Sequence, residues 1–245
     1  MLKLLLTGAS GHIGRTFFEA SAERYEFRLT DRRAPEYDVR PPHRFQEADL
    51  ADRDAAADLV RGIDTVVHLA ADPRPDAPFD SLLPNNILAT TWLMEAAADA
   101  GCRRFVFASS GQTMEGYPLD RQFTPHTQIR PGNLYGVSKA YGEALCGYFA
   151  ARRGLSTVAV RIGAFKEAGS GGIKNARDMS MWLSPRDCAH LLQRAVEAEG
   201  IDYFIAHGVS DNRFKRLDIS ETRRVLGYDP QDDAFAVFDV PIEPL

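Results

Sequence analysis

Short apolar, β-branched runs alternate along this chain with longer stretches whose apolar positions recur at helical spacing. The runs at residues 2–7, 25–30, 44–48, 64–69, 104–108, 157–162 and 203–206 predict strands. Helices are predicted over residues 15–20, from a cap at Asp52 through Val60, over 81–100 with an adjustment near Pro84, over 133–153, and from Ser184-Pro185 through Glu197. Loops are predicted at 32–42, at the proline-bearing 71–78, and at 111–131. Strands alternating with helices imply an α/β fold: a doubly wound parallel sheet with helices on both faces. Beyond Gly163 the pattern weakens, and the glycine-rich stretch 167–177 reads as a mobile or substrate-covering loop. We expect a core over residues 1–163, and a small C-terminal portion over 164–245 that does not fold independently.

The first strand runs straight into Gly8-Ala9-Ser10-Gly11-His12-Ile13-Gly14, and a helix follows. Strand, tight glycine turn, helix is the arrangement that receives a dinucleotide pyrophosphate. The glycines let backbone approach the phosphates, and the helix N-terminus offers unpaired N–H groups. His12 is expected to serve through its backbone. Asp31 ends the second strand, where a carboxylate accepts hydrogen bonds from ribose hydroxyls. Its charge repels a 2′-phosphate, which favours NAD over NADP. Arg32 and Arg33 could instead bind that phosphate, or form a solvated pair. Asp49-Leu50 ends the third strand, where it could flank the adenine or simply terminate the strand. The fold expected is therefore Rossmann-like.

Tyr135 and Lys139 are spaced i, i+4 and share a face of the predicted helix. An ammonium near a phenol stabilises phenolate and lowers its pKa from about 10, so the tyrosine can act as a general base. The same spacing also arises on ordinary amphipathic helices, with a packed tyrosine and a solvated lysine. Ser109-Ser110 ends the preceding strand. A serine there can hold a substrate hydroxyl, or cap loop backbone.

Composition narrows the classes further. The chain has 245 residues and a formal net charge of -5, which argues against a general nucleic-acid binder. No apolar stretch is long enough to span a membrane. Cys102, Cys146 and Cys188 are widely spaced, and no zinc or disulfide pattern follows. Buried, reduced thiols in a cytoplasmic protein are expected. The histidines show no metal-ligand spacing.

These pieces resemble the extended branch of the short-chain dehydrogenase/reductase superfamily. The carrying residues are Gly8, Gly11 and Gly14, Asp31, His68-Leu69-Ala70-Ala71, Asn86, Ser110, Pro131, Tyr135-Gly136, Ser138-Lys139, Arg161-Ile162-Gly163 and Leu226-Gly227-Tyr228-Asp229-Pro230. The resemblance covers nearly the whole chain. It implies NAD held by Gly8, Gly11, His12, Ile13, Gly14, Asp31, Asp49, Leu50, Leu69, Ala70, Ala71, Asn86, Tyr135, Lys139 and Ile162. It also implies a homo-oligomer, because the helices at 81–100 and 133–153 often pair in this superfamily.

A closer resemblance is to the uronate dehydrogenases of that branch. It rests on Phe107-Ala108-Ser109-Ser110, Leu134 through Lys139, Val160-Arg161-Ile162-Gly163, and Arg177, Ser180, Trp182 and Ser184. The resemblance implies NAD-dependent oxidation of a free hexuronate at C1 to an aldarolactone. Tyr135 would take the hydroxyl proton, Lys139 would hold the nicotinamide ribose, and Ser110 would position the hydroxyl. Arg177 would pair with the substrate carboxylate, a task suited to guanidinium. Three sugar-contacting positions depart from the family pattern: Gly111 and Gln112 replace Asn-His, and Ala164 replaces Ser. With the basic set Lys166, Lys174 and Arg177, these departures keep a sugar phosphate or a neutral aldose open. A nucleotide-sugar epimerase or dehydratase, and a non-catalytic dinucleotide sensor, are the competing classes.

Overall fold

The computed structural model describes residues 1–167 and 173–238. Residues 168–172, which carry Gly169, Gly171 and Gly172 of the expected covering loop, lie outside the described residues. The strands are β1 (Leu2–Thr7), β2 (Tyr25–Asp31), β3 (Arg44–Glu47), β4 (Thr65–His68), β5 (Arg104–Ser110), β6 (Ser156–Ile162), β7 (Ala164–Phe165), β8 (Trp182–Leu183) and β9 (Tyr203–Gly208). The helices are α1 (His12–Ser21), α2 (Arg53–Leu59), α3 (Phe79–Leu82), α4 (Ala89–Asp99), α5 (Leu134–Arg153), α6 (Ala176–Met181), α7 (Pro185–Glu197), α8 (Ser220–Leu226) and α9 (Ala234–Val237).

Seven strands form one sheet in the order β3-β2-β1-β4-β5-β6-β9, and every pairing is parallel. Alternation along the strands sends side chains to opposite faces. Leu4 and Leu6 enter a core with Phe17, Phe18, Leu191 and Leu192 of α1 and α7. Leu5 enters the other core, with Leu59, Leu93, Met94, Cys146 and Phe149 of α2, α4 and α5. Strand order reverses between β1 and β4, so their following segments diverge. A crevice opens there beyond the carboxyl ends, which is where ligands bind in this class of sheet. Beyond Gly163 the chain returns to the sheet, since β9 pairs with β6 and α7 packs on α1.

The helix expected over residues 81–100, with an adjustment near Pro84, is interrupted there. Residues Leu83–Leu88 form a π-helical turn, and the Ala89 N–H reaches back to the Pro84 carbonyl. Pro84 has no N–H to give, so the regular ladder cannot pass through it and the turn widens. The small pair β7–β8 and helices α6, α8 and α9 were not foreseen. They are short, and tertiary bonds hold them. Trp182 Nε1 donates to the Lys166 carbonyl at 2.8 Å, and Asn212 Nδ2 donates to the Trp182 carbonyl at 2.9 Å.

A buried ion pair ties α5 to the sheet. Glu143 accepts from Arg161 Nε and Nη2, both at 2.8 Å, and from Ser109 Oγ at 2.6 Å. His207 Nδ1 lies 2.9 Å from the Asp218 carbonyl, so that nitrogen donates. Its Nε2 is then unprotonated and faces Arg161 Nη1 at 3.4 Å. Burial, then Arg161, pushes His207 down to about 3, so the ring is neutral. Cys102, Cys146 and Cys188 are buried and free. Among the described residues no helix is long and apolar enough to cross a membrane.

Arg161→Met leaves the Glu143 carboxylate buried without its partner. We expect a loss of about 3–5 kcal/mol in urea unfolding. The double variant with Glu143→Leu should lose less, because no uncompensated charge remains.

Candidate active site

A cleft of ≈ 660 Å³ opens at the switch point, across the carboxyl ends of the central strands. Gly8, Gly11, His12, Ile13, Gly14, Asp31, Asp49, Leu50, Leu69, Ala70, Ala71, Ser110, Gln112, Tyr135, Lys139, Ile162 and Ala164 all line it, as does Arg32.

The glycine turn is close-packed where it must be. Gly8 has φ +69°, and a Cβ there would lie 2.7 Å from Ala70 N. A Cβ at Gly14 would lie 2.3 Å from the Gly8 carbonyl oxygen. At Gly11 the neighbour within reach is the Gly8 carbonyl oxygen alone, so that side of the turn stays open to the cleft. Helix α1 begins at His12, earlier than expected, and its Gly11 cap supplies no side-chain bond. Its first N–H groups therefore face the cleft as an anion site. Asp31 Oδ2 accepts from Ser10 N at 3.0 Å and Oδ1 from Arg32 N at 2.7 Å. Each oxygen keeps acceptor capacity for a ribose hydroxyl. These residues fit an adenine dinucleotide.

The β4 turn is held from behind by residues whose role the sequence does not reveal. Thr7 Oγ1 accepts from Leu69 N and Ala70 N, both at 3.2 Å. It lies 2.8 Å from His68 Nδ1, to which it donates its hydroxyl proton. His68 Nε2–H then points to Thr90 Oγ1 at 3.1 Å. Burial, then Lys139, pushes His68 down to about 3.

Ser110, Tyr135 and Lys139 meet at the other end of the cleft. Ser110 Oγ caps the following 3₁₀ turn by accepting from Gln112 N at 3.2 Å. Asn133 caps α5 by accepting from Gly136 N at 2.8 Å, which starts the helix just before Tyr135. Lys139 Nζ lies 5.6 Å from the centre of the Tyr135 ring and 5.1 Å from that of Phe107. The sequence expects Lys139 to lower the Tyr135 pKa, but the structure corrects this. Burial raises the phenol and outweighs the lowering by its hydrogen bond with Ser110, while Asp72 raises it further. Burial also pushes Lys139 down to about 7, which weakens the ammonium that was to do the lowering.

Asn86, Gly111 and Arg177 stand outside the lining. Asn86 is buried in the π turn, where Oδ1 accepts from Asp72 N at 2.8 Å and Nδ2 donates to Ser138 Oγ at 2.9 Å. Gly111 packs on Met181, and a Cβ there would lie 2.4 Å from Met181 Cε. Arg177 is partly buried and pairs with Glu115 and, at 3.3 Å, with Asp178. Lys174 is exposed, whereas Lys166 lines the cleft. Pro73, Pro75, Asn85 and Phe165 also line it, and of these the proline run signals only the first two. Among the described residues no cluster of three or more His, Cys, Asp or Glu side chains could hold a metal.

An open glycine turn, a carboxylate at the end of β2 and a Ser/Tyr/Lys set, all lining one cleft, define a Rossmann-type NAD-dependent oxidoreductase. The chain belongs to the NAD dependent epimerase/dehydratase family, which it matches over residues 4–184. It is 41% identical to an NAD-dependent glucose-6-phosphate dehydrogenase of Haloferax volcanii, over 99% of this chain and 97% of that protein. A uronate dehydrogenase of Pseudomonas syringae pv. tomato is 35% identical, over 95% of this chain and 82% of that protein. The structure superposes on a uronate dehydrogenase of Agrobacterium tumefaciens complexed with NAD at a TM-score of 0.88 and 34% identity. That match covers 96% of this chain and 87% of the other.

Lys139 carries a pH signature. Its folded pKa of about 7 lies below the ordinary 10.5. Between these values the unfolded chain binds more protons, so stability rises with pH, and the burial penalty is complete below about 7. Without added NAD, Lys139→Met should raise Tm most at about pH 6.5, with the gain shrinking towards about pH 9.5. Thermal unfolding at the two pH values checks this.

Proposed function

We propose that this protein oxidises an acidic aldose at C1, with NAD as the hydride acceptor and Tyr135 as the general base. The observation that carries this reading is the convergence of Ser110, Tyr135 and Lys139 on the cleft that also holds the glycine turn and Asp31. Ser110 Oγ holds the C1 hydroxyl, and Tyr135 Oη takes its proton as hydride leaves C1. Lys139 binds the nicotinamide ribose, and hydrogen bonding to those hydroxyls favours its charged form, offsetting burial. The buried position of Tyr135 excludes water from the transfer.

The two relatives support an anionic sugar: one is named for a sugar phosphate, the other for a uronate. In the hexuronate reading, Arg177 turns from Glu115 to the substrate carboxylate. A sugar phosphate has its own support. Arg177 is already engaged by two carboxylates, while the exposed Lys166 lines the cleft. Gly111 and Ala164 carry no side-chain hydrogen-bonding group for sugar hydroxyls.

NADH formation is the test, read across hexuronates, matching neutral aldoses and glucose 6-phosphate, with NAD and NADP in parallel. Turnover of an acidic sugar with NAD is expected, and Tyr135→Phe should lower kcat by about 10²–10⁴ with NAD binding retained. No NADH from any of these sugars, or an undiminished Tyr135→Phe rate, would sink the reading. Loss of turnover in Arg177→Ala on a uronate, or in Lys166→Ala on a phosphate, identifies the anion-binding residue.

A further inference from the structure

The segment between β4 and α3 carries a charged cluster that the reading so far leaves unused. The Asp72 side chain is only 9% exposed. Its carboxylate accepts from Arg74 Nε at 3.0 Å, Arg74 Nη2 at 2.7 Å and Ser81 Oγ at 2.6 Å. The backbone of Asp72 is gripped in both directions by Asn86. Asp72 N donates to Asn86 Oδ1 at 2.8 Å, and Asn86 Nδ2 donates to the Asp72 carbonyl at 3.2 Å. The same Nδ2 reaches Ser138 Oγ at 2.9 Å, and that hydroxyl donates to the Tyr135 carbonyl at 2.7 Å.

An unbroken chain of hydrogen bonds thus runs from Asp72 to the turn of α5 that presents Tyr135 and Lys139. The apolar side of the segment makes a second contact, because Ala77, Leu82 and Tyr135 form a buried cluster of their own. The Pro73 and Pro75 rings face the cleft, and the Asp72–Arg74 pair fixes the short turn that carries them.

We propose that Asp72 and Arg74 are positioning residues for the chemistry at Tyr135. The pair clamps the segment that packs on Tyr135 and puts a partly neutralised negative charge on that segment. It thereby sets the pH range in which Tyr135 takes the substrate proton. This rests on the reading of Tyr135 as the base.

Among the described residues, the charged groups that face the phenol are Lys139 from α5 and Asp72, paired with Arg74, from this segment, while Ser110 meets it from β5 as a neutral hydroxyl. Asp72 is the carboxylate that acts to raise the phenol, while Arg74 and Ser81 hold Asp72 itself well below the ordinary carboxylate range. It therefore stays ionised throughout the working range. Two substitutions then act in opposite senses. Asp72→Asn removes the charge but keeps an acceptor for Arg74 and Ser81, so phenolate forms at lower pH. Arg74→Gln leaves Asp72 ionised and unshielded, so phenolate forms at higher pH.

The experiment has two readouts. The first is the pH profile of kcat with the substrate found above. Its acid limb should move down in Asp72→Asn and up in Arg74→Gln by roughly half a pH unit or more, a threefold or greater rate change on that limb. The second needs no substrate: the phenolate absorbance of each protein, taken as a difference against the same protein carrying Tyr135→Phe. Its midpoint should move in the same two directions. Arg74 is exposed, so Arg74→Gln keeps the test decisive even if Asp72→Asn fails to fold. Midpoints that stay in place, or that move together, overturn the proposal. A Tyr135→Phe enzyme with full activity instead removes the reading beneath it, and the phenolate midpoints still judge the clamp.

Discussion

Helix α5 approaches β5 more closely than an ordinary side chain would permit. A Cβ at Gly142 would lie 2.2 Å from the Phe107 ring, so only glycine lets the helix settle there. One residue on, Glu143 meets Arg161 and Ser109 in a pocket closed to water. Tyr135, Lys139 and Glu143 follow one another at four-residue intervals on a single face. The far member is locked by charge and the middle one is packed on Phe107, so the first is delivered to Ser110 at the mouth of β5.

The same economy governs the opposite wall. Gly8 lies against Ala70, and Thr7 receives the Leu69 and Ala70 amides, so β1 and β4 end as one rigid lip. The sheet topology requires these two chain ends to diverge, and the crevice between them is the cleft. Polar groups on either side are held by partners of their own: Asp31 by backbone amides, His68 by two threonines, Asn86 by Asp72 and Ser138. Such an arrangement meets its ligand with little reorganisation.

Much of this was legible in the residues. The main-sheet strands and the long α5 follow from apolar runs and caps. The glycine turn, Asp31, Ser110, Tyr135 and Lys139 arrive in one cleft, as spacing and resemblance imply. Four things were not legible, each for a physical reason. An adjustment near Pro84 is expected, but its form as a π turn depends on how the chain relaxes around the ring, which local pattern does not encode. The raised Tyr135 depends on burial, a property of the assembled core. The Arg177 environment depends on Glu115, which is distant in sequence and carries no motif. Elements such as α6 and α9 have too few residues to show a period.

The three thiols add something of a different kind. Cys102 precedes β5, Cys146 lies inside α5 and Cys188 inside α7, each buried without a disulfide. Burial pushes Cys102 up to about 11 and the other two further up, so almost no thiolate exists at neutral pH. In the native state all three are thereby shielded from oxidants and alkylating reagents. They react only when their own layer opens, and Cys146 and Cys188 sit on opposite faces of the sheet. The molecule therefore carries built-in clocks: the rate at which each thiol is labelled reports how often its side of the sheet comes apart.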